Sequence, residues 1–345
     1  MSVYGALTPD TPRYQDEARD YDAILVMSFG GPEGMDDVMP FLENVTRGRN
    51  IPRERLEEVA QHYYHFGGVS PINQQNRALI AALKTELAAH QIHLPIYFGN
   101  RNWHPMIDNT LRQMRDDGVQ RAIAFFTSAF SSYSGCRQYR EDIIRASEKI
   151  ENAPEVDKIR VFYNHPGFIE ACVDNLQTAL NQFDEPVHVA FTAHSIPLAM
   201  AQKSAYEAQL KDACHIIAQT VDITDYALVY QSRSGAPHIP WLEPDILDHI
   251  ETLHQQGIRN LVIMPLGFIS DHMEVLFDLD TEAAQKTQEL GMHMIRAATP
   301  GTHPRFVAMI RELIVERMTQ NPVRPALGRR GAGHDICPIN CCLPR

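Results

Sequence analysis

The sequence predicts an α/β chain built as two doubly wound, Rossmann-like domains with parallel sheets. Three observations predict it. Short apolar runs alternate with stretches of helical period from residue 22 to residue 318. The apolar runs are nearly continuous, as in strands covered on both faces. The 345 residues also exceed the roughly 250–300 at which a single core stops growing.

Residues 22–29 (DAILVMSF) form an apolar run that ends in Gly30-Gly31-Pro32, a buried strand feeding a turn. Pro52 opens a helix that runs to residue 64, arginine-rich at its start. Ser70-Pro71 precedes a second helix over 74–89. Strands are predicted over 95–99 (PIYFG), 120–130 (QRAIAFFTSAF) and 158–163, with a helix over 109–117. The pattern then repeats, with helices over 168–183, 205–220, 244–256 and 274–290. They alternate with strands over 187–192, 226–231, 260–268 and 292–297, and a helix over 303–318 closes the series. The expected division is a polar leader 1–20, domains 21–165 and 166–302, a closing helix 303–320 and a cysteine-bearing tail 321–345.

Composition narrows the function. An apolar content of 44% and a charged content of 21% are ordinary for a globular chain. The longest apolar runs, such as 261–269, are too short to cross a bilayer. The leader lacks the basic start and apolar stretch of a signal peptide. A cytoplasmic protein with no integral membrane association is expected. A net charge of −12 leaves no dense cationic face for nucleic acid. The basic segment 47–55 (RGRNIPRER) reads as a solvated helix entrance, or as a rim that meets a carboxylate-bearing ligand. No extra apolar surface helix is evident, so a monomer is expected. Six cysteines in such a chain are not read first as disulfides.

In open parallel sheets ligands bind beyond the carboxyl ends of the strands. His194 stands directly after the strand 187–192, in AHSIP. A satisfied core histidine is the plain reading, and a reactive imidazole the functional one. A second group lies after the strand 260–268, in SDHMEVLFDLDTE. Asp271, Glu274, Asp278 and Glu282 are spaced by three, four and four, which puts them on one face of a helix. Four like charges there repel unless water or a cation offsets them. The row is either a solvated face or a path for a divalent metal. His272 stands nearby to move protons.

AHSIP, YQSRSG and PLGFISDHMEVLFDLD, with SFGGPE at 28–33, HFGGVSPIN at 65–73 and YFGNRNWHP at 97–105, together resemble the ferrochelatase family. These motifs cover most of the chain. The resemblance implies a chelatase-type fold with a porphyrin held in the cleft between the two domains, and Fe(II) as substrate. It implies that His194 and Glu274 are catalytic and meet the entering iron, and that Asp278 lies on the acidic line; Asp271 and Glu282 join that acidic metal path by their spacing. It implies that Ser70 and Tyr139 contact the porphyrin, with Tyr63 and Arg101 near the pocket. Some relatives carry a tyrosine where Phe29 stands here, and a phenyl ring cannot ligate iron. PFLENVTRGR with HFGGVSPIN resembles the actinobacterial branch, which implies coproporphyrin III as substrate and a partner enzyme that receives the coprohaem. Protoporphyrin IX is the alternative.

Residues 337–342 read CPINCC. Their flanks have no apolar period, so metal ligation is the favoured reading. Cys172 and Cys214 fall on apolar helix faces and read as buried hydrophobes. That leaves Cys136, in SSYSGC, to complete a set with Cys337, Cys341 and Cys342. Zinc and an iron–sulfur cluster both accept four thiolates. The resemblance favours a [2Fe–2S] cluster. Rival readings are a cobalt chelatase of the same fold, a porphyrin carrier without chemistry, and an iron–sulfur sensor on a vestigial fold.

Overall fold

A computed structural model describes residues 13–235 and 238–344. Residues 1–12 of the expected leader lie outside the described residues. Every residue of β1 (Ala23–Ser28) is buried, which is why its sequence carries no polar alternation. It pairs in parallel with β2 (Ile96–Asn100) and β3 (Arg121–Phe126), and β3 pairs with β4 (Glu155–Lys158). The sheet order is β2-β1-β3-β4. The second half repeats it as β6-β5-β7-β8, with β5 at His188–His194, β6 at Tyr226–Gln231, β7 at Asn260–Met264 and β8 at His293–Arg296. All pairs are parallel.

The first half carries α1 (Val38–Val45), α2 (Arg53–His65), α3 (Ile72–Ala89), α4 (Ile107–Asp116) and α5 (Gln138–Ser147). The second carries α6 (Pro166–Leu180), a short α7 (Leu198–Ala201), α8 (Tyr206–Thr220), α9 (Ile246–Gln255), α10 (Ala284–Glu289) and α11 (Pro304–Met318). Strand alternation divides the apolar residues between two faces. Ile24, Val26 and Phe125 face one central core, joined there by Val189, Phe191 and Met264 of the second sheet and by Leu83, Phe168, Leu210 and Ile310. Ala23, Leu25 and Met27 face outward onto Leu111 and Ile143 of α4 and α5. The second sheet's outer face covers Ile250 of α9 and Leu279. The two sheets are thus each doubly wound, as expected, and share one continuous core.

Several elements differ from the sequence reading, which also had no helix at the places of α1 and α7. The apolar run 158–163 is not a strand. Pairing with β3 ends at Lys158, and Ile159, Phe162 and Tyr163 are buried in the central core as a connection. Burial made the run apolar; the ladder did not. Helix α5 has no counterpart in the sequence reading, because Arg140 is buried inside its apolar stripe beside Tyr139 and Ile143 and breaks the pattern. The helix expected over 274–290 begins as a π-helical turn, Val275–Ala283, before α10. Single π turns of this kind gather at functional sites. No helix among the described residues is long and apolar enough to cross a membrane.

Candidate active site

In each sheet the chain winds outward from the central strand pair, so the crevice opens beyond β1 and β3, and beyond β5 and β7. His194 is the last residue of β5, in register with Gln231 of β6. The loop after β7 must approach it closely. Gly267 allows this, since a Cβ there would lie 2.7 Å from Cα of Ala193. That loop leads to Glu274, whose Oε1 stands 3.5 Å from His194 Nε2. Nδ1–H of His194 donates to the carbonyl of Ser195, and the Tyr206 hydroxyl donates to the carbonyl of His194 at 3.1 Å. The second nitrogen, Nε2, is therefore the one offered to the crevice.

The charges interlock. Burial pushes the His194 imidazole down, but the Glu274 carboxylate, the Ser195 carbonyl and Asp278 outweigh it and raise it to about 9. Burial pushes Glu274 up, yet His194 and then His272 bring it down to about 2. His272 accepts from the backbone N–H of Glu274 at 3.2 Å, and burial pulls its imidazole down. One helical turn further on, Asp278 is raised to about 7, by burial first and by Glu274 and Glu282, against a hydrogen bond from Ser232. Gln231 Nε2 donates to the Glu274 carbonyl at 3.1 Å and reaches Asp278 at 3.4 Å. Ser232 holds a left-handed backbone, φ +64°, to make its contact.

The acidic row is three residues long. Glu274, Asp278 and Glu282 act on one another in sequence along the π turn. Asp271 does not join them. It lies before the helix, where helical spacing has no meaning, and its carboxylate pairs with Arg296 at 3.2 Å and accepts from Thr299 at 3.1 Å.

The first half contributes α2. His62 stacks on Phe277 with centroids 3.6 Å apart. Tyr63 lies close enough to Glu274 for that carboxylate to add to burial in pushing its hydroxyl up. Ser70 is buried against Gly31, in the loop joining α2 to α3. Tyr139 is also buried and bonds Thr127 at the end of β3. Arg101 lies over the Tyr139 ring at 4.8 Å and pairs with Asp142 at 2.5 Å. Its charge is thus already engaged, which the sequence did not indicate. Phe29 is partly exposed at the rim and carries no ligating atom. Sequence reasoning missed Tyr206, Gln231, Ser232 and the His62–Phe277 stack. Gln231 and Ser232 had a signal, since one ends the strand 226–231 and the other follows it.

A second constellation lies at the C-terminal tail. Cys337 is hydrogen-bonded to the thiols of Cys136 and Cys341, which pull it well below the ordinary thiol range. Cys341 Sγ is 3.5 Å from Cys342 Sγ and 3.9 Å from His334 Nε2. The ligand atoms of His334, Cys337 and Cys341 all lie within 4.8 Å of one another. Arg137 fixes the tail by donating to the carbonyls of Ile339 and Cys341 at 2.6 and 2.9 Å. Cys172 and Cys214 are buried in α6 and α8, where desolvation pushes both thiols up. Beside the four gathered cysteines, Nε, Nη1 and Nη2 of buried Arg140 have no hydrogen-bond partner. Lys158 is also buried there. A pair of buried cations against four thiols fits an anionic metal–thiolate group.

A doubly wound pair of parallel sheets with imidazole and carboxylate at one switch point defines a metal chelatase fold. SirB from Bacillus subtilis, solved with Fe3+, superposes with TM-score 0.51 at 14% identity, over 88% of this chain and 99% of its own. CbiX, described as the terminal enzyme of sirohaem biosynthesis in denitrifying bacteria, gives TM-score 0.50 at 15% identity, over 86% and 100%. These likenesses concern the fold alone. The ferrochelatase family model matches residues 21–318, and the chain belongs to the ferrochelatase family. It is 58% identical to a ferrochelatase of Rhodopirellula baltica, over 94% of this chain and 93% of the relative. It is 51% identical to coproporphyrin III ferrochelatases of Streptomyces coelicolor and Streptomyces griseus, over 95% and 94% of this chain and equal shares of theirs.

Proposed function

We propose that this chain inserts Fe(II) into coproporphyrin III, releasing the two pyrrole N–H protons. The observation that carries the reading is the 3.5 Å approach of His194 Nε2 to Glu274 at the crevice of the second sheet. The names of relatives about half identical over nearly the whole chain support the substrate. In the resting pair the proton sits on His194 and the negative charge on Glu274. Fe(II) arriving beside Glu274 offsets that charge, so His194 loses its proton and becomes a neutral base as metal reaches the ring. Asp278, near 7, then accepts or passes protons toward Glu282 and solvent. Ser70, Tyr63 and Tyr139 line the porphyrin side in this reading, with Arg101 behind Tyr139.

Cys136, Cys337, Cys341 and Cys342 hold a [2Fe–2S] cluster in the same reading, with Arg140 and Lys158 as counter-charge. Such a cluster supplies a one-electron redox centre. Metal insertion itself transfers no electron, so the cluster is structural or sensory.

Anaerobic insertion assays with coproporphyrin III and protoporphyrin IX at equal concentration test the substrate. Faster turnover of coproporphyrin supports the proposal. A preference for protoporphyrin replaces the substrate, and binding without insertion of either makes the chain a carrier.

A further inference from the structure

Arg140 and Lys158 are unusual residues to bury. Arg140 is 1% exposed on α5, and three of its guanidinium nitrogens lack any partner. An orphaned buried charge of this kind costs several kcal/mol unless something anionic satisfies it. The charges that act on it are those of the Cys337, Cys136, Cys341 and Cys342 thiols, Cys337 most strongly. Lys158, at the end of β4, is 5% exposed and acts chiefly on Cys337 and Cys136. Its hydrogen bond to the carbonyl of His334 is a long 3.4 Å. Asp335 is the carboxylate near Lys158, but it also pairs with Arg324 and Arg317 at 3.4 and 3.7 Å. Arg137, the other cation at the tail, is paired with Glu141 at 2.7 Å. Arg140 and Lys158 are therefore the cations left to face the four thiols.

We propose that Arg140 and Lys158 set the redox poise of the thiolate site by favouring its more negatively charged, reduced state. This rests on the cluster reading above. Reduction adds an electron to a group that four thiolates already make anionic, and it does so out of water. Each buried cation then stabilises the reduced form more than the oxidised one, and raises the midpoint potential. The burial that makes the cations costly to hold also keeps salt from screening them.

The test uses the full chain purified anaerobically, with metal and acid-labile sulfide measured first. The midpoint is then found by dye-mediated reduction followed by electron paramagnetic resonance. Arg140→Met and Lys158→Met are each expected to lower the reduced-to-oxidised ratio at a fixed potential at least tenfold, which is about 59 mV for a one-electron couple. Arg140→Lys, which keeps the charge, stays within that margin. Met variants that hold the cluster at the wild-type midpoint overturn the inference. If the Met variants assemble no cluster, recovery in Arg140→Lys supports the role of charge, and failure there too overturns it. A wild type that carries zinc, or no sulfide, defeats the cluster reading and takes this inference with it.

Discussion

Replacing Glu274 by Gln removes the charge that holds the His194 proton while keeping the side chain's shape. The rise of His194 from the ordinary 6.5 to about 9 corresponds to roughly 3.4 kcal/mol at 1.36 kcal/mol per unit. The two side chains are 32% and 42% exposed, so water screens part of that interaction. Halving it leaves about 1.7 kcal/mol, about eighteenfold in the acid dissociation constant. The sign follows from the cause. The carboxylate favours imidazolium, so its loss lets His194 give up its proton at lower pH. Imidazole nitrogen-15 shifts followed against pH, with the His194 resonances assigned by His194→Gln, read this directly. His194 is expected to titrate at least about one unit lower in Glu274→Gln than in wild type. Titration at an unchanged pH refutes the argument that Glu274 governs the proton, and with it the idea that arriving metal frees the base.

Three further outcomes are expected. Cys337→Ser abolishes acid-labile sulfide and visible absorbance, whereas Cys172→Ser leaves both intact, as measured on anaerobically purified protein. Ser232→Ala withdraws the hydrogen bond that holds Asp278 down, so its carboxyl titrates above the present value of about 7; infrared difference spectra of the carboxyl stretch follow this. Glu316→Ala strands Arg160, whose Nε and Nη2 donate to that carboxylate at 2.8 and 3.0 Å in full burial. Urea unfolding should show a loss of about 3–5 kcal/mol, and a loss under about 1 kcal/mol contradicts the account of that pair.

The sequence carried the architecture because strands buried on both faces leave unbroken apolar runs. It carried His194 and Glu274 because both follow such runs. It did not carry α5, whose stripe contains a buried arginine, nor the end of β4, because an apolar connection packed in the core resembles a strand. Asp271 entered the acidic row on spacing alone, and spacing does not say where a helix begins. Cys136 was reached by elimination, and the tail folds back to bring its thiol against Cys337. Arg140 and Lys158 had no signal, since a lone cation gives no hint that it is buried.

The central claim is that His194 and Glu274 together insert iron. Stopped-flow absorbance under single-turnover, anaerobic conditions, with Fe(II), coproporphyrin III and either wild type or His194→Ala, tests it most directly. The account predicts that the variant still binds porphyrin but inserts iron about 10²–10⁴-fold more slowly. Insertion by His194→Ala at the wild-type rate contradicts it.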